Sequence, residues 1–157
     1  MKFIDATIFI NWISASRKKL SMEDAASGYI LYKVDRGEYA VTTTLVKDEV
    51  LIWLSRYRAS QMDKFIKSLR VLSSLEIITP TMEDEEEAVR GYGRYPLGFS
   101  DLVSLSVMKR NNITEVYSAD KGFDKVPWVK RIFAEVLEEP EFRRFLRMLE
   151  KRGIAIK

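Results

Sequence analysis

The sequence predicts one α/β domain, built as a three-layer α/β/α sandwich around a central parallel sheet of four to five strands. Short apolar runs alternate with helical patterns along the chain, which is typical of parallel strands joined by helices. The 157 residues are an ordinary length for one domain and can bury a sizeable core. With 46% hydrophobic and 31% charged residues, the chain is expected to fold rather than to be disordered.

Short apolar or β-branched runs predict the strands. They are Phe3–Ile4, a run that begins near Ala40 and contains Val41–Thr44, Leu75–Ile78, Glu115–Ala119 and a short edge strand at Val129–Phe133. The second run is β-branched from Val41 to Thr44, which favours extended backbone. Because helices lie between the strands, a parallel sheet covered on both faces is expected.

Apolar residues at helical spacing predict the helices. They are Ile8–Ile13, Leu20–Asp35, Val46–Tyr57, Gln61–Ser73, a helix capped by Thr81, Asp101–Arg110 and Glu141–Lys151. Ser100 is the expected N-cap of the helix that carries Asp101. Glycines and a proline predict a loop over 91–98. The three tryptophans, Trp12, Trp53 and Trp128, are expected in the core.

The chain contains no cysteine and no histidine. This excludes disulfides, thiolate nucleophiles, zinc–cysteine sites, histidine bases and Ser-His-Asp catalysis. Carboxylates, hydroxyls, amines and metal ions must therefore supply any chemistry. Carboxylate oxygens are hard ligands, and they favour magnesium or manganese over zinc or copper.

The formal net charge of +3 is small, and the distribution of charge is more informative. Basic residues gather at Arg17–Lys19, Arg56–Arg70, Lys109–Arg110, Lys130–Arg131 and Arg143–Arg152. Basic clusters around an acidic metal pocket would suit a polyanionic substrate, although each cluster alone is also explained as a solvated helix face. No run approaches the roughly 20 apolar residues of a membrane span, and no signal peptide is recognised, so a cytoplasmic location is expected.

Five acidic residues stand where the predicted fold can bring them together. They are Asp5, Glu49, Asp101, Asp120 and Asp124. Asp5 and Asp120 end predicted strands, whereas Glu49 and Asp101 lie early in helices. Carboxylates held together repel unless a cation neutralises them, so the set predicts a divalent metal site.

Each acid also has a plain structural interpretation. Asp5 is a possible helix N-cap, Asp101 can offset a helix dipole, and Asp120 lies in a turn-forming segment. Asp48 and Glu49 point about 100° apart on a helix, and spacing alone does not decide between them. Thr7 is interpreted either as positioning a metal-bound water or as capping the first helix.

Taken together, these segments resemble the PIN-domain ribonucleases, the family that includes the toxins of VapBC-type toxin–antitoxin modules. The segments that carry the resemblance are Asp5-Ala6-Thr7, Thr43-Thr44 to Glu49, Ser100-Asp101, Ser118-Ala119-Asp120 and Phe123-Asp124. Their order and spacing cover about Met1 to Phe133. Ser118 stands where threonine is more usual, and both carry a hydroxyl. The resemblance selects Glu49 over Asp48.

The resemblance implies a metal-dependent endoribonuclease acting on RNA. It implies catalytic roles for Asp5, Glu49, Asp101 and Asp120, and Mg²⁺ or Mn²⁺ bound by Asp5, Asp101, Asp120 and, directly or through water, Asp124. Thr7, Ser100 and Ser118 would support these ligands. It also implies a possible antitoxin partner and a homodimer. Residues 1–157 would form one domain, with a helical extension over about 138–157.

Three other interpretations remain. A haloacid-dehalogenase type of phosphoryl transferase is disfavoured, because that family has a second aspartate at the position of Thr7. A PIN domain without catalytic activity could bind RNA or protein as a scaffold. A PIN nuclease could process RNA without being a toxin.

Overall fold

The computed structural model describes residues 1–156 and contains a five-stranded sheet in which all neighbouring strands are parallel. The strands are β1 (Lys2–Ile4), β2 (Ala40–Thr43), β3 (Leu75–Ile78), β4 (Glu115–Tyr117) and β5 (Lys130–Ile132). Their order across the sheet is β3-β2-β1-β4-β5. The chain therefore winds outward from β1 to β3 and returns to the other side of β1 at β4. In open parallel sheets, ligands bind at the carboxyl edge beside such a reversal.

Seven α-helices surround the sheet within the described residues. They are α1 (Ala6–Ser14), α2 (Met22–Asp35), α3 (Thr44–Tyr57), α4 (Met62–Val71), α5 (Met82–Arg90), α6 (Phe99–Arg110) and α7 (Pro140–Lys151). Phe3, Val41 and Val116 on the three central strands are fully buried, because right-handed crossovers place helices on both faces. The predicted three-layer α/β/α fold is confirmed. None of the helices described between residues 1 and 156 is long and apolar enough to cross a membrane.

Several predicted boundaries and placements are wrong. Helix α6 begins at Phe99 with Gly98 as its N-cap, so Ser100 lies inside the first turn and does not cap it. Strand β4 ends at Tyr117 rather than at Ala119, since the following residues turn to hydrogen-bond with side chains beyond β1. Trp128 is 37% exposed because it lies in the loop before β5.

The carboxyl-terminal helix packs against the first two helices. Phe142, Phe145 and Leu149 are almost fully buried, and the ring of Phe145 lies 6.2 Å from Trp12 and 5.2 Å from Tyr32 between centroids. Beyond α7, the amide of Leu20 donates to the carbonyl of Ala155 at 2.8 Å. The end of the described chain is thereby tied to the segment that joins α1 and α2.

Candidate active site

Asp5 follows β1 at the carboxyl edge of the sheet, where the winding reverses. Its side chain is buried, and its backbone amide donates to the carbonyl of Tyr117 at 3.1 Å. One carboxylate oxygen, Oδ2, accepts hydrogen bonds from Thr7 Oγ1 at 2.9 Å and from Ser118 Oγ at 2.7 Å. Burial raises the pKa of Asp5, and the two hydroxyl donors oppose that increase. Two hydroxyls therefore fix the orientation of this carboxylate, one from Thr7 after β1 and one from Ser118 after β4.

The same two hydroxyls hold the loop that carries Asp120. Thr7 Oγ1 accepts a hydrogen bond from the amide of Ala119 at 3.0 Å, and Ser118 Oγ accepts one from the amide of Asp120 at 3.0 Å. Asp120 Oδ1 in turn accepts from the amide of Gly122 at 2.8 Å. Thr7 and Ser118 thus contact both the carboxylate of Asp5 and the backbone that leads to Asp120, and their role in supporting metal ligands stays a prediction.

Asp101 lies in the first turn of α6 and shares its surroundings with three other carboxylates. Its pKa is raised to about 8, first by burial and then by the charges of Asp5, Glu49 and Asp120. A backbone contact from Gly98 acts in the opposite direction. Like charges raise a carboxyl pKa only when they are near, so the fold brings these four acids to one site.

Glu49 is the acid of α3 that faces this site. Burial, and then the charge of Asp5, raise its pKa, whereas a contact with the side chain of Ser100 lowers it. Asp48 is 52% exposed in its side chain and pairs with Lys47 at 2.8 Å. The orientation of α3 therefore resolves the choice that helical spacing left open, and Ser100 contacts the site although it is not a cap.

The carboxylate of Asp124 is bound by an arginine. Arg131 on β5 donates to both of its carboxylate oxygens, at 3.0 and 3.1 Å, and also to the carbonyl of Ser118 at 3.1 Å. The hydrogen bonds from Arg131 lower the pKa of Asp124. Its role as a metal ligand stays a prediction. The positioning contacts of Arg131 were missed, because only the pairing of β4 with β5 places it there.

The site provides the ligand chemistry of a hard divalent cation. Among residues 1–156, no three acidic side chains are gathered closely enough to form a ready-made ion site. Burial is the first cause of the raised pKa of Asp101, and the charges of Asp5, Glu49 and Asp120 add to it, so a cation here would offset both effects. Asp5, Glu49, Asp101 and Asp120 therefore fit Mg²⁺ or Mn²⁺ by donor type.

Two surfaces adjoin the acids. A cleft of about 440 Å³ opens beside Glu49 between α1 and α3, and its lining includes Trp53 and Arg56. The 91–98 loop approaches the turn after Asp120, where Pro96 and Leu97 lie against Gly122. The cleft thus includes Glu49 in its lining, and the loop lies beside the turn that follows Asp120.

A comparison with protein families identifies the class of this fold and site. The family model of the PIN domain matches residues 2–129 of this chain. This range is most of the chain and includes all five predicted acids. The protein belongs to the PIN-domain family. Comparison with curated proteins finds no match.

Solved structures share the fold at low sequence identity. VapC20 of Mycobacterium tuberculosis, described as a toxin that cleaves the sarcin–ricin loop, has a TM-score of 0.66 and 16% identity over 82% of this chain and 97% of its own. A toxin–antitoxin complex from Klebsiella pneumoniae has a TM-score of 0.59 and 18% identity over 83% and 96% of the two chains. VapBC2 of Rickettsia felis, bound to a promoter DNA fragment, has a TM-score of 0.58 and 15% identity over 83% and 96%.

Proposed function

We propose that this protein is a metal-dependent endoribonuclease and the toxin component of a toxin–antitoxin module. The observation that carries the proposal is the shared environment of Asp101 with Asp5, Glu49 and Asp120 at the winding reversal of the sheet. Membership of the PIN-domain family and the likeness to toxin structures support it. A hydrolysis without histidine needs an activated water, and this site is suited to a metal that activates one.

The contacts of each residue suggest its role in the proposed reaction. Asp5, Glu49, Asp101 and Asp120 would hold the Mg²⁺ or Mn²⁺ ion, with Asp124 as a predicted further ligand, either directly or through water. An ion held by these residues would supply the acidity that lowers the pKa of a bound water and the positive charge that offsets charge on the scissile phosphate. Thr7 and Ser118 orient the carboxylate of Asp5 and the backbone of Asp120 through the hydrogen bonds described above. Outer partners of this kind fix the geometry of ligands.

The first test is cleavage of a panel of labelled RNAs with magnesium, manganese or EDTA. We expect cleavage that requires the metal and that falls in Asp101→Asn by at least the roughly 10–100-fold typical of losses even of outer-shell partners. Asp48→Asn is the matched control, because it removes an exposed aspartate that lies beside Glu49 and pairs with Lys47.

Equal cleavage by the Asp101→Asn variant and the wild type would contradict the assigned site. Failure of the folded wild type to cleave any RNA with metal bound would favour a scaffold that binds RNA or protein. Growth arrest on expression, absent for Asp101→Asn, distinguishes a toxin from an RNA-processing nuclease.

The proposal includes partners. Two of the similar structures are described as toxin–antitoxin assemblies, which supports an antitoxin as a partner of this chain. A homodimer and a cytoplasmic location are part of the same proposal. Exposed apolar side chains on α3, Ile52 at 54% and Tyr57 at 61%, are compatible with a contact between subunits.

A further inference from the structure

Helix α7 has two faces of opposite character. Phe142, Phe145 and Leu149 form its buried face. Its opposite face carries four exposed basic residues, Arg143, Arg144, Arg147 and Lys151, which we call the α7 basic face. At about 100° per residue, these four positions fall within an arc of about 100° centred opposite the buried face. The arc contains no acidic residue, since Glu141 and Glu150 project from its two sides.

The charges of the α7 basic face are mostly uncompensated. Arg144 pairs with Glu141 at 3.1 Å, but Arg143, Arg147 and Lys151 form no ion pair within residues 1–156. Three basic residues on other helices are paired instead: Lys67 with Asp63, Arg90 with Glu86 and Lys109 with Glu87. Three of the four basic side chains thus carry a charge that no ion pair offsets, and the neighbouring acids Glu138, Glu139 and Glu141 lie at the start of the helix.

The helix presents this surface rigidly. Glu139, just before α7, accepts hydrogen bonds from Lys33 Nζ at 3.1 Å and from the hydroxyl of Tyr29 at 3.1 Å. The ring of Phe142 packs edge-on against Tyr29 at 5.2 Å between centroids. Because the helix is fixed at its start and along its buried face, the basic side chains keep a set direction relative to the domain.

Helix α7 lies beyond the residues that the PIN-domain family match covers. The PIN-domain match ends at residue 129, and α7 begins at Pro140. The similar solved structures are covered over 96–97% of their own length, whereas 82–83% of this chain is covered. The basic helix therefore lies outside the range that defines the family membership of this chain.

We propose that the α7 basic face binds backbone phosphates of the RNA substrate outside the acidic site. The proposal rests on the proposed ribonuclease function and extends it to a second contact with the same substrate. Arginine forks match phosphate oxygens, and phosphate contacts need charge without base recognition. A protein partner usually requires a buried aromatic or aliphatic anchor at the centre of its contact, and the arc offers only long basic side chains.

The test is binding of a short labelled single-stranded RNA to the full chain by fluorescence anisotropy at several salt concentrations. All proteins carry Asp101→Asn so that the RNA stays intact. The test variant adds Arg143→Gln, Arg147→Gln and Lys151→Gln. The matched control adds Lys67→Gln, Arg90→Gln and Lys109→Gln, which removes the same charge from ion-paired positions.

We expect the test variant to bind on the order of tenfold more weakly at low salt, with the slope of log affinity against log salt reduced by about 2, as three lost phosphate contacts require. The control variant should show the same slope of log affinity against log salt as the protein that carries Asp101→Asn alone. Equal affinity and slope in the test variant and the control would overturn the proposal. If the test variant lost binding to polyglutamate but kept binding to RNA, the proposal would also be overturned. The ligand of the α7 basic face would then be an acidic protein segment.

A second measurement separates this proposal from the proposed function. The three α7 substitutions are introduced with Asp101 restored, and metal-dependent cleavage of a very short RNA is followed. Unchanged cleavage of the short RNA with reduced cleavage of long RNA supports a contact outside the acidic site. An equal loss of cleavage on the short and the long RNA would overturn the proposal, because the helix would then affect the acidic site itself. Absence of cleavage by the wild type contradicts the nuclease function and leaves the anisotropy result to decide RNA binding.

Discussion

At the scale of single residues, a chain without histidine acquires a group that titrates near neutral pH. The pKa of Asp101 is raised from 3.8 to about 8 by burial and by neighbouring carboxylates. Asp5 and Glu49 shift in the same direction, with burial as the largest cause for each. Such clustering costs stability in the absence of metal, which is typical of sites arranged for function rather than for folding.

This cost predicts a pH dependence of stability in EDTA. Between the unfolded pKa of 3.8 and the folded pKa of about 8, the folded state keeps a proton on Asp101 that the unfolded state releases. The unfolded state therefore binds fewer protons, and stability falls as pH rises through this window and levels off above it. We expect the melting temperature of the wild type to decrease from about pH 5 to about pH 8, and that of Asp101→Asn to decrease less.

The matched control for this titration is again Asp48→Asn. Its melting temperature should depend on pH as that of the wild type does, because Asp48 is exposed and paired with Lys47. Magnesium should reduce the difference between wild type and Asp101→Asn, since a cation stabilises the ionised carboxylates. Identical pH profiles for wild type and Asp101→Asn would show that Asp101 does not share the charges assigned to it.

The residue scale also shows which site features depend on the fold. The four acids of the site, with Thr7 and Ser118, were predicted from strand ends and from the family pattern. Glu49 differs from Asp48 only by its direction on α3, which burial decides. Arg131 had no local signal, because its contacts with Asp124 and Ser118 require β5 to pair with β4.

At the scale of elements, the site depends on a close approach between the 91–98 loop and the turn that follows Asp120. A Cβ atom on Gly122 would lie 2.6 Å from the carbonyl oxygen of Pro96 and 2.7 Å from Leu97 Cδ2. Glycine is therefore required here for space. The amide of Gly122 also bonds Asp120 Oδ1, so the approach of the two elements and the position of the carboxylate are linked.

Gly122→Ala should lower metal-dependent cleavage, because the loop and the turn must separate and Asp120 must shift with them. A displacement near 1 Å costs about a hundredfold in well-positioned sites. The control is Gly91→Ala, whose Cβ would meet nothing closer than 3.5 Å. Cleavage is measured on one RNA for both variants, with circular dichroism to check folding. Full activity in Gly122→Ala would mean that the contact does not position Asp120.

At the scale of the whole molecule, α7 completes the core around α1 and α2. Phe145 is 3% exposed, and its ring contacts Trp12, Tyr29, Tyr32 and Phe142. The helix thereby covers an aromatic surface of α1 and α2. Its removal would expose that surface and promote association.

Phe145→Ala should therefore destabilise the protein by about 3–5 kcal/mol, the range for truncating a buried phenylalanine. Chemical denaturation with two-state analysis measures the loss. Tyr39→Ala is the control, since Tyr39 is 71% exposed and an exposed substitution changes stability by about 0.5 kcal/mol or less. A loss below that of the control would mean that α7 is not docked as described.

The sequence by itself determined the alternation of strands and helices and the parallel sheet, because these depend on local periodicity, and its short motifs nominated the candidate acids. Only the tertiary structure decided which acids share one environment, how Arg131 holds Asp124, and where α7 packs. Those outcomes depend on contacts between residues far apart in the chain, such as Ser118 with Asp5 and Glu139 with Lys33. No local pattern contains them, since burial and proximity arise only when the elements pack.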